Sequence, residues 1–269
     1  MMINADMKIL LFIVVSGLFL LLITDHSLAQ SPYHLNWQKE TSVLVAGSLT
    51  AGLGLYYRSK TPILQIDEIE LLDKSSINSF DRVAIDNYSS AADRWSDVFW
   101  GGSHLIPLLY LTNKNSKSDF GKIGALYGEA FLLNASVTGL IKYTARRSRP
   151  FVYNPIVDIE KKLSRTARTA FLSGHTSMTA TSCFFVAKVY SDYFPNSSWK
   201  PYIWTGAAII PALTGYLRIK AGKHYPTDTI AGYALGAAVG VLVPQLHKNQ
   251  NDRLTAFGGG SGVVLRWRF

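Results

Sequence analysis

The chain has 269 residues, of which 27 are basic and 18 acidic, giving a formal net charge of +9 and a mean hydropathy of +0.12. That length suffices for one domain with a sizeable core. The single cysteine, Cys183, excludes an internal disulfide framework, and the basic excess comes with no nucleic-acid-binding motif.

Residues 1–29 read as a targeting segment. Lys8 lies in a short n-region, Ile9 to Ile23 is almost wholly apolar, and Ser27-Leu28-Ala29 offers small residues for cleavage before Gln30. Six apolar segments follow, near Val43–Tyr57, Trp95–Leu111, Gly124–Ile141, Ser177–Tyr190, Tyr202–Leu217 and Thr229–Leu246. Most are at or below the usual length for crossing a bilayer, and they are rich in Gly, Ala, Ser and Thr, which permits close packing of helices. The fold class expected is all-α, a six-helix bundle embedded in a membrane; a soluble bundle is the alternative. Glu129 and Asn134 interrupt the third segment, and a carboxylate there is expected to face the bundle interior. Tyr56, Trp95, Trp100, Tyr110, Tyr190 and Tyr202 sit at segment ends, as interfacial aromatics do. Ile63, Ile66, Ile69 and Leu72 recur every three residues and suggest a short amphipathic stretch resting on the bundle. Cys183 reads as a packed, inert thiol. At the C-terminus, Val263, Leu265, Trp267 and Phe269 alternate after a glycine-rich run, a pattern for a flexible tail or one docked strand. The expected domains are 1–29, a signal peptide; 30–246, the helical domain; and 247–269, the tail.

Chemistry concentrates in three short blocks. Lys142 ends the third segment, and Arg149-Pro150 follows a short basic run; from Lys142 to Arg168 there are eight basic and two acidic residues. Lys supplies a point charge and Arg a planar fork that grips two oxygens of an anion. Ser173-Gly174-His175 opens the fourth segment. Ser173 can cap the helix, Gly174 lets the backbone approach a ligand, and the free N–H groups favour an anion. His175 can donate a proton to a leaving oxygen. Arg218, His224 and Asp228 form the third block. Pro226 sets a helix start near Tyr225, which leaves Asp228 in the first turn, able to accept from one nitrogen of His224 and leave the other as a nucleophile.

The order and spacing of these blocks resemble the type-2 phosphatidic acid phosphatase (PAP2) superfamily, which also includes vanadium-dependent haloperoxidases. Lys142, Arg149, Pro150, Ser173, Gly174, His175, Arg218, His224 and Asp228 match its pattern, while Leu172 and Leu217 stand where the family has Pro and Ser. The resemblance spans roughly residues 40–246. It implies a phosphatase in which His224 is the nucleophile, Asp228 orients it and His175 is the acid–base. Lys142, Arg149, Ser173, Gly174 and Arg218 then hold the phosphate, and neither metal nor other cofactor is implied. The partners expected are membrane lipids and a lipid phosphate or diphosphate substrate (undecaprenyl diphosphate, phosphatidylglycerol phosphate, lipid A phosphate or phosphatidic acid). The alternatives are an exported acid phosphatase of broad specificity and a haloperoxidase. The location expected is a bacterial inner membrane with the site facing the periplasm. A cleaved signal and six full crossings would face the site inward, so one segment is expected not to span.

Overall fold

The computed structural model describes residues 31–249, 254–259 and 262–267. The expected signal segment, 1–29, lies outside the described residues. The domain is helical, with its long helices at α1 (Trp37–Ser59), α2 (Ser90–Ser103), α3 (Phe120–Ala145), α4 (Gly174–Tyr193), α5 (Lys200–Lys220) and α6 (Pro226–Leu246). Shorter helical turns, including Ile66–Glu70 and the 3-10 helices Ile106–Thr112 and Pro150–Tyr153, fill the connections.

The helix ends follow local chemistry. Asn36 caps α1 by accepting from the Gln38 amide at 2.9 Å, and Ser89 caps α2 by accepting from Ala92 at 3.2 Å. The second apolar segment breaks into α2 and a 3-10 helix because Pro107, early in that turn, has no N–H to continue an α-helix. At the end of α3, Arg146 is left-handed, with φ 47°, and its amide caps the Lys142 carbonyl at 3.2 Å.

Small residues decide how the helices meet. A Cβ on Gly236 would fall 2.0 Å from the Ser177 carbonyl, and one on Gly240 would fall 2.6 Å from that of Thr181. Only glycine lets α6 lie this close to α4. A polar seam joins α3 to α4, centred on Asn134 of α3, whose amide donates to Thr181 Oγ1 at 2.7 Å and whose carbonyl accepts from Ser177 Oγ at 2.7 Å. Glu129 faces the interior, 1% exposed, and Cys183 is buried against Ala187 and Ala207. Large apolar side chains point outward instead: Val45, Leu49 and Leu53 on α1, Ile209 and Leu213 on α5, Ile230 and Leu242 on α6. Helix α6 is long and apolar enough to cross a membrane by length and composition.

The bundle has two distinct ends. Gly47 meets Leu132 and Gly54 meets Leu140, so α1 and α3 run in the same direction. Along α4, Asp97 of α2 reaches His175, His104 reaches Ser182, and Tyr110 reaches Val186. Helix α2 with its 3-10 extension therefore runs the length of the bundle beside α4. The break at Pro107 changes the helix type but not the direction of the chain. Residues near 145, 174, 220 and 226 gather at one end. At the other, His34 donates to the His247 carbonyl at 2.9 Å and Asn249 to that of Pro32 at 3.0 Å, tying both edges of the domain together.

Ile69 and Leu72 pack on a cluster of Leu64, Phe151, Val152 and Val157, whereas Ile63 and Ile66 are exposed, so the amphipathic stretch rests on the bundle by half its apolar face. Beyond the helices, β1 (Leu254–Gly259) pairs antiparallel with β2 (Gly262–Trp267), Gly259 opposite Gly262. The tail is thus a hairpin and not the single strand that alternation suggested; a lone strand leaves its backbone groups unpaired, and Leu254–Gly259 supplies the partner.

Candidate active site

All three sequence blocks converge at one end of the bundle. Lys142, in the last turn of α3, reaches the Thr169 carbonyl at 3.2 Å. Its arm lies over the start of α4, where a Cβ on Gly174 would come 3.3 Å from Lys142 Cε. Arg149 is carried in by the loop after α3, its amide donating to Ala167 at 2.8 Å and its guanidinium to Thr169 Oγ1 at 3.2 Å. Ser173 caps α4, and its amide is fixed to the Asp228 carbonyl at 2.9 Å. The Nε–H groups of Arg149 and Arg218 are buried with no hydrogen-bond partner. Guanidinium groups held in this way invite an anion.

His224 lies at the centre, 1% exposed. Its Nδ1 is 2.6 Å from the Ala170 carbonyl, and a carbonyl can only accept, so Nδ1 carries the proton and Nε2 carries the lone pair. This corrects the expected contact with Asp228, whose carboxylate lies 3.8 Å from Nδ1, beyond hydrogen-bond range. The physical reason is competition: Asp228 accepts from the Tyr225 amide at 2.8 Å in a capping box and from Arg147 at 2.6 Å. Burial, and then the charges of Lys142, Arg149 and Arg218, hold the His224 pKa well below its usual value. Burial and the neighbouring Arg218 push Arg149 down to about 10. Crowded cations beside a neutral imidazole describe a cradle made for negative charge.

Several partners were not legible in the sequence. Asp97 binds His175 Nε2 at 2.8 Å, and Asp93 binds Arg218 at 2.7 Å and Lys223 at 3.1 Å. Their signal was the i, i+4 spacing of two aspartates on one helix face. Arg147 spans two fully buried carboxylates, Asp81 at 2.7 Å and Asp228 at 2.6 Å, and stacks 4.0 Å over Tyr225. In the sequence it was one more charge in a basic run. Burial pushes the Asp81 carboxyl up, but bonds from Arg147 and Thr227 outweigh it and hold the pKa below the usual range. Beside the site, a cavity of about 510 Å³ is lined by Tyr88, Asp93, Phe151, Lys161 and Lys223.

Residues 124–252, which carry all three blocks, match the family model described as "PAP2 superfamily". That stretch of the chain is similar to the PAP2 superfamily. Among named relatives, the lipid A 4'-phosphatase of Porphyromonas gingivalis is 27% identical over 162 residues, covering 60% of this chain and 64% of that one. An undecaprenyl-diphosphatase of Sulfolobus acidocaldarius is 27% identical over 126 residues, covering 46% of this chain and 55% of that one. The chain thus spans less than two thirds of the length of either relative. Among solved structures, that of Aquifex aeolicus LpxE aligns with a TM-score of 0.42 at 20% identity, covering 61% of this chain and 92% of that one.

Proposed function

We propose that this protein hydrolyses a lipid phosphate or diphosphate through a phosphohistidine on His224. The observation that carries the reading is His224 itself: a neutral imidazole, its tautomer held by the Ala170 carbonyl, facing Lys142, Arg149 and Arg218. In the first step, Nε2 attacks phosphorus as the bond to the leaving oxygen breaks, and His175 gives that oxygen its proton. In the second, His175 takes a proton from water, the new P–O bond forms, and the N–P bond breaks. The three cations, the Ser173 hydroxyl and the Gly174 amide hold the non-bridging oxygens. Phosphoryl transfer depends chiefly on such positioning and charge stabilisation. Asp228, though not bonded to His224, lies close enough to stabilise the imidazolium that forms. Asp97 holds His175 in place.

A lipid substrate is supported by the outward-facing apolar side chains of α1, α5 and α6, which suit hydrocarbon better than water, and by the names of the relatives. On this reading the six long helices form a membrane-embedded bundle. The basic rim at Lys161 and Lys223 receives the anionic headgroup, and the chain resides in the cell envelope.

The test is phosphate release from undecaprenyl diphosphate, lipid A phosphate, phosphatidylglycerol phosphate and p-nitrophenyl phosphate. Turnover of a lipid substrate is expected, and none by His224→Ala, which stays folded. Undiminished turnover in that variant would refute the nucleophile, and preference for the soluble ester would refute the lipid.

A further inference from the structure

At the end of the bundle away from the phosphate cradle, three buried side chains meet that hydrolysis does not use. Glu40 comes from the first turn of α1, Glu129 from α3, and His247 caps the end of α6. His247 Nδ1 is 2.8 Å from the Val243 carbonyl, so it must donate there, and Nε2 is the nitrogen turned to the other two side chains. Nε2 lies 3.2 Å from Glu40 Oε1 and 3.5 Å from Glu129 Oε2. By geometry His247 Nε2, Glu129 Oε2 and Glu40 Oε2 are buried without a hydrogen-bond partner, while Glu40 Oε1 accepts from the Asn36 amide at 3.1 Å. The side chains of His247 and Glu129 are 2% and 1% exposed.

We propose that Glu40, Glu129 and His247 bind a divalent transition-metal ion of the zinc class, as a structural staple between the start and the end of the helical domain. Two carboxylates and an imidazole gathered in a buried site call for positive charge between them, which a metal ion supplies to all three at once. One imidazole and two carboxylates are a zinc-type donor set, and one ligand atom from each residue lies within 4.8 Å of the others. In a tetrahedral site with bonds near 2.1 Å, neighbouring donors lie about 3.4 Å apart. The observed separations of 3.2 and 3.5 Å bracket that value. The bond from Nδ1–H to a backbone carbonyl is the outer contact that orients a metal-binding histidine. The place is structural: α6 carries His247 roughly 28 Å along the helix from Asp228, beside the pairing of residues 32–34 with 247–249.

The full-length protein, purified without a histidine tag, is dialysed and its metal content measured by mass spectrometry, followed by thermal unfolding with a strong chelator and with added zinc. About one metal ion per chain is expected to survive dialysis. Chelation is expected to lower the unfolding temperature, and zinc at ~100 times its Kd to restore it by about 5–10 °C. Glu129→Gln and His247→Gln should each abolish the restoration. The wild-type protein alone tests the proposal if a variant does not fold. No stoichiometric metal and no zinc-dependent shift would overturn it, leaving a trio that shares protons. Equal zinc binding by wild type and both variants would overturn it as well, marking an adventitious surface ion.

Discussion

His224 combines features that only burial makes compatible. Its imidazole is kept neutral by desolvation and by three cations, while the Ala170 carbonyl holds its tautomer. A pH dependence follows. An unfolded histidine takes up a proton near pH 6.5, whereas the folded His224 does so only well below that value. Between the two, the unfolded state binds more protons, so stability is lost as pH falls below about 6.5. The unfolding temperature is expected to fall between pH 7 and pH 5, and His224→Gln is expected to flatten this profile; identical profiles would refute the role of burial. His175→Ala is expected to lower kcat by ~10²–10⁴, measured as steady-state phosphate release. The residue types of the cradle were legible in the sequence because Lys142, Arg149, Arg218, His175 and His224 carry their chemistry in their side chains. Ala170 was not, because it acts through a backbone carbonyl that every residue has.

At the scale of elements, the site depends on how α6 meets α4 and how the loop after α3 is pinned. Gly236→Ala would drive a methyl group into the Ser177 carbonyl and is expected to cost about 1–3 kcal/mol. Gly206→Ala on α5, where nothing lies within 4 Å of the added carbon, is expected to be neutral or stabilising by up to ~1 kcal/mol. Thermal unfolding of the two variants checks the contrast. Arg147→Ala strands two buried carboxylates, Asp81 and Asp228, and is expected to cost about 3–5 kcal/mol. Adding Asp81→Asn should recover part of that loss in the same assay. The helix positions were legible because apolar runs bounded by capping residues mark them. The pairing of Asp81 with Thr227 and Arg147 was not, since neither propensity nor periodicity relates residues 66 and 146 positions apart.

For the whole molecule, the phosphate cradle sits at one end of the bundle and the meeting of residues 31–34 with 247–249 at the other. If the bundle is embedded as proposed, these ends lie on opposite faces of the membrane. Single cysteines at Ser164 and Asn249, in a Cys183→Ala background, are expected to react with an impermeant thiol reagent from opposite sides; labelling from one side would refute embedding. The same geometry makes two expectations mutually exclusive. A cradle facing the periplasm puts Ser31 at the cytoplasmic face, whereas signal cleavage before Gln30 puts the cradle there. Millimolar vanadate, which mimics the trigonal-bipyramidal transition state, is expected to inhibit whichever face the cradle occupies, measured as phosphate release. By itself the sequence determined a helical domain resembling the PAP2 superfamily and the residue types of its anion cradle, because motif spacing and apolar runs are local properties of a chain. Tertiary structure alone decided which atom orients His224, that Asp93 and Asp97 guard Arg218 and His175, and that Glu40, Glu129 and His247 meet. Each of these depends on helices distant in sequence packing close enough for single atoms to touch.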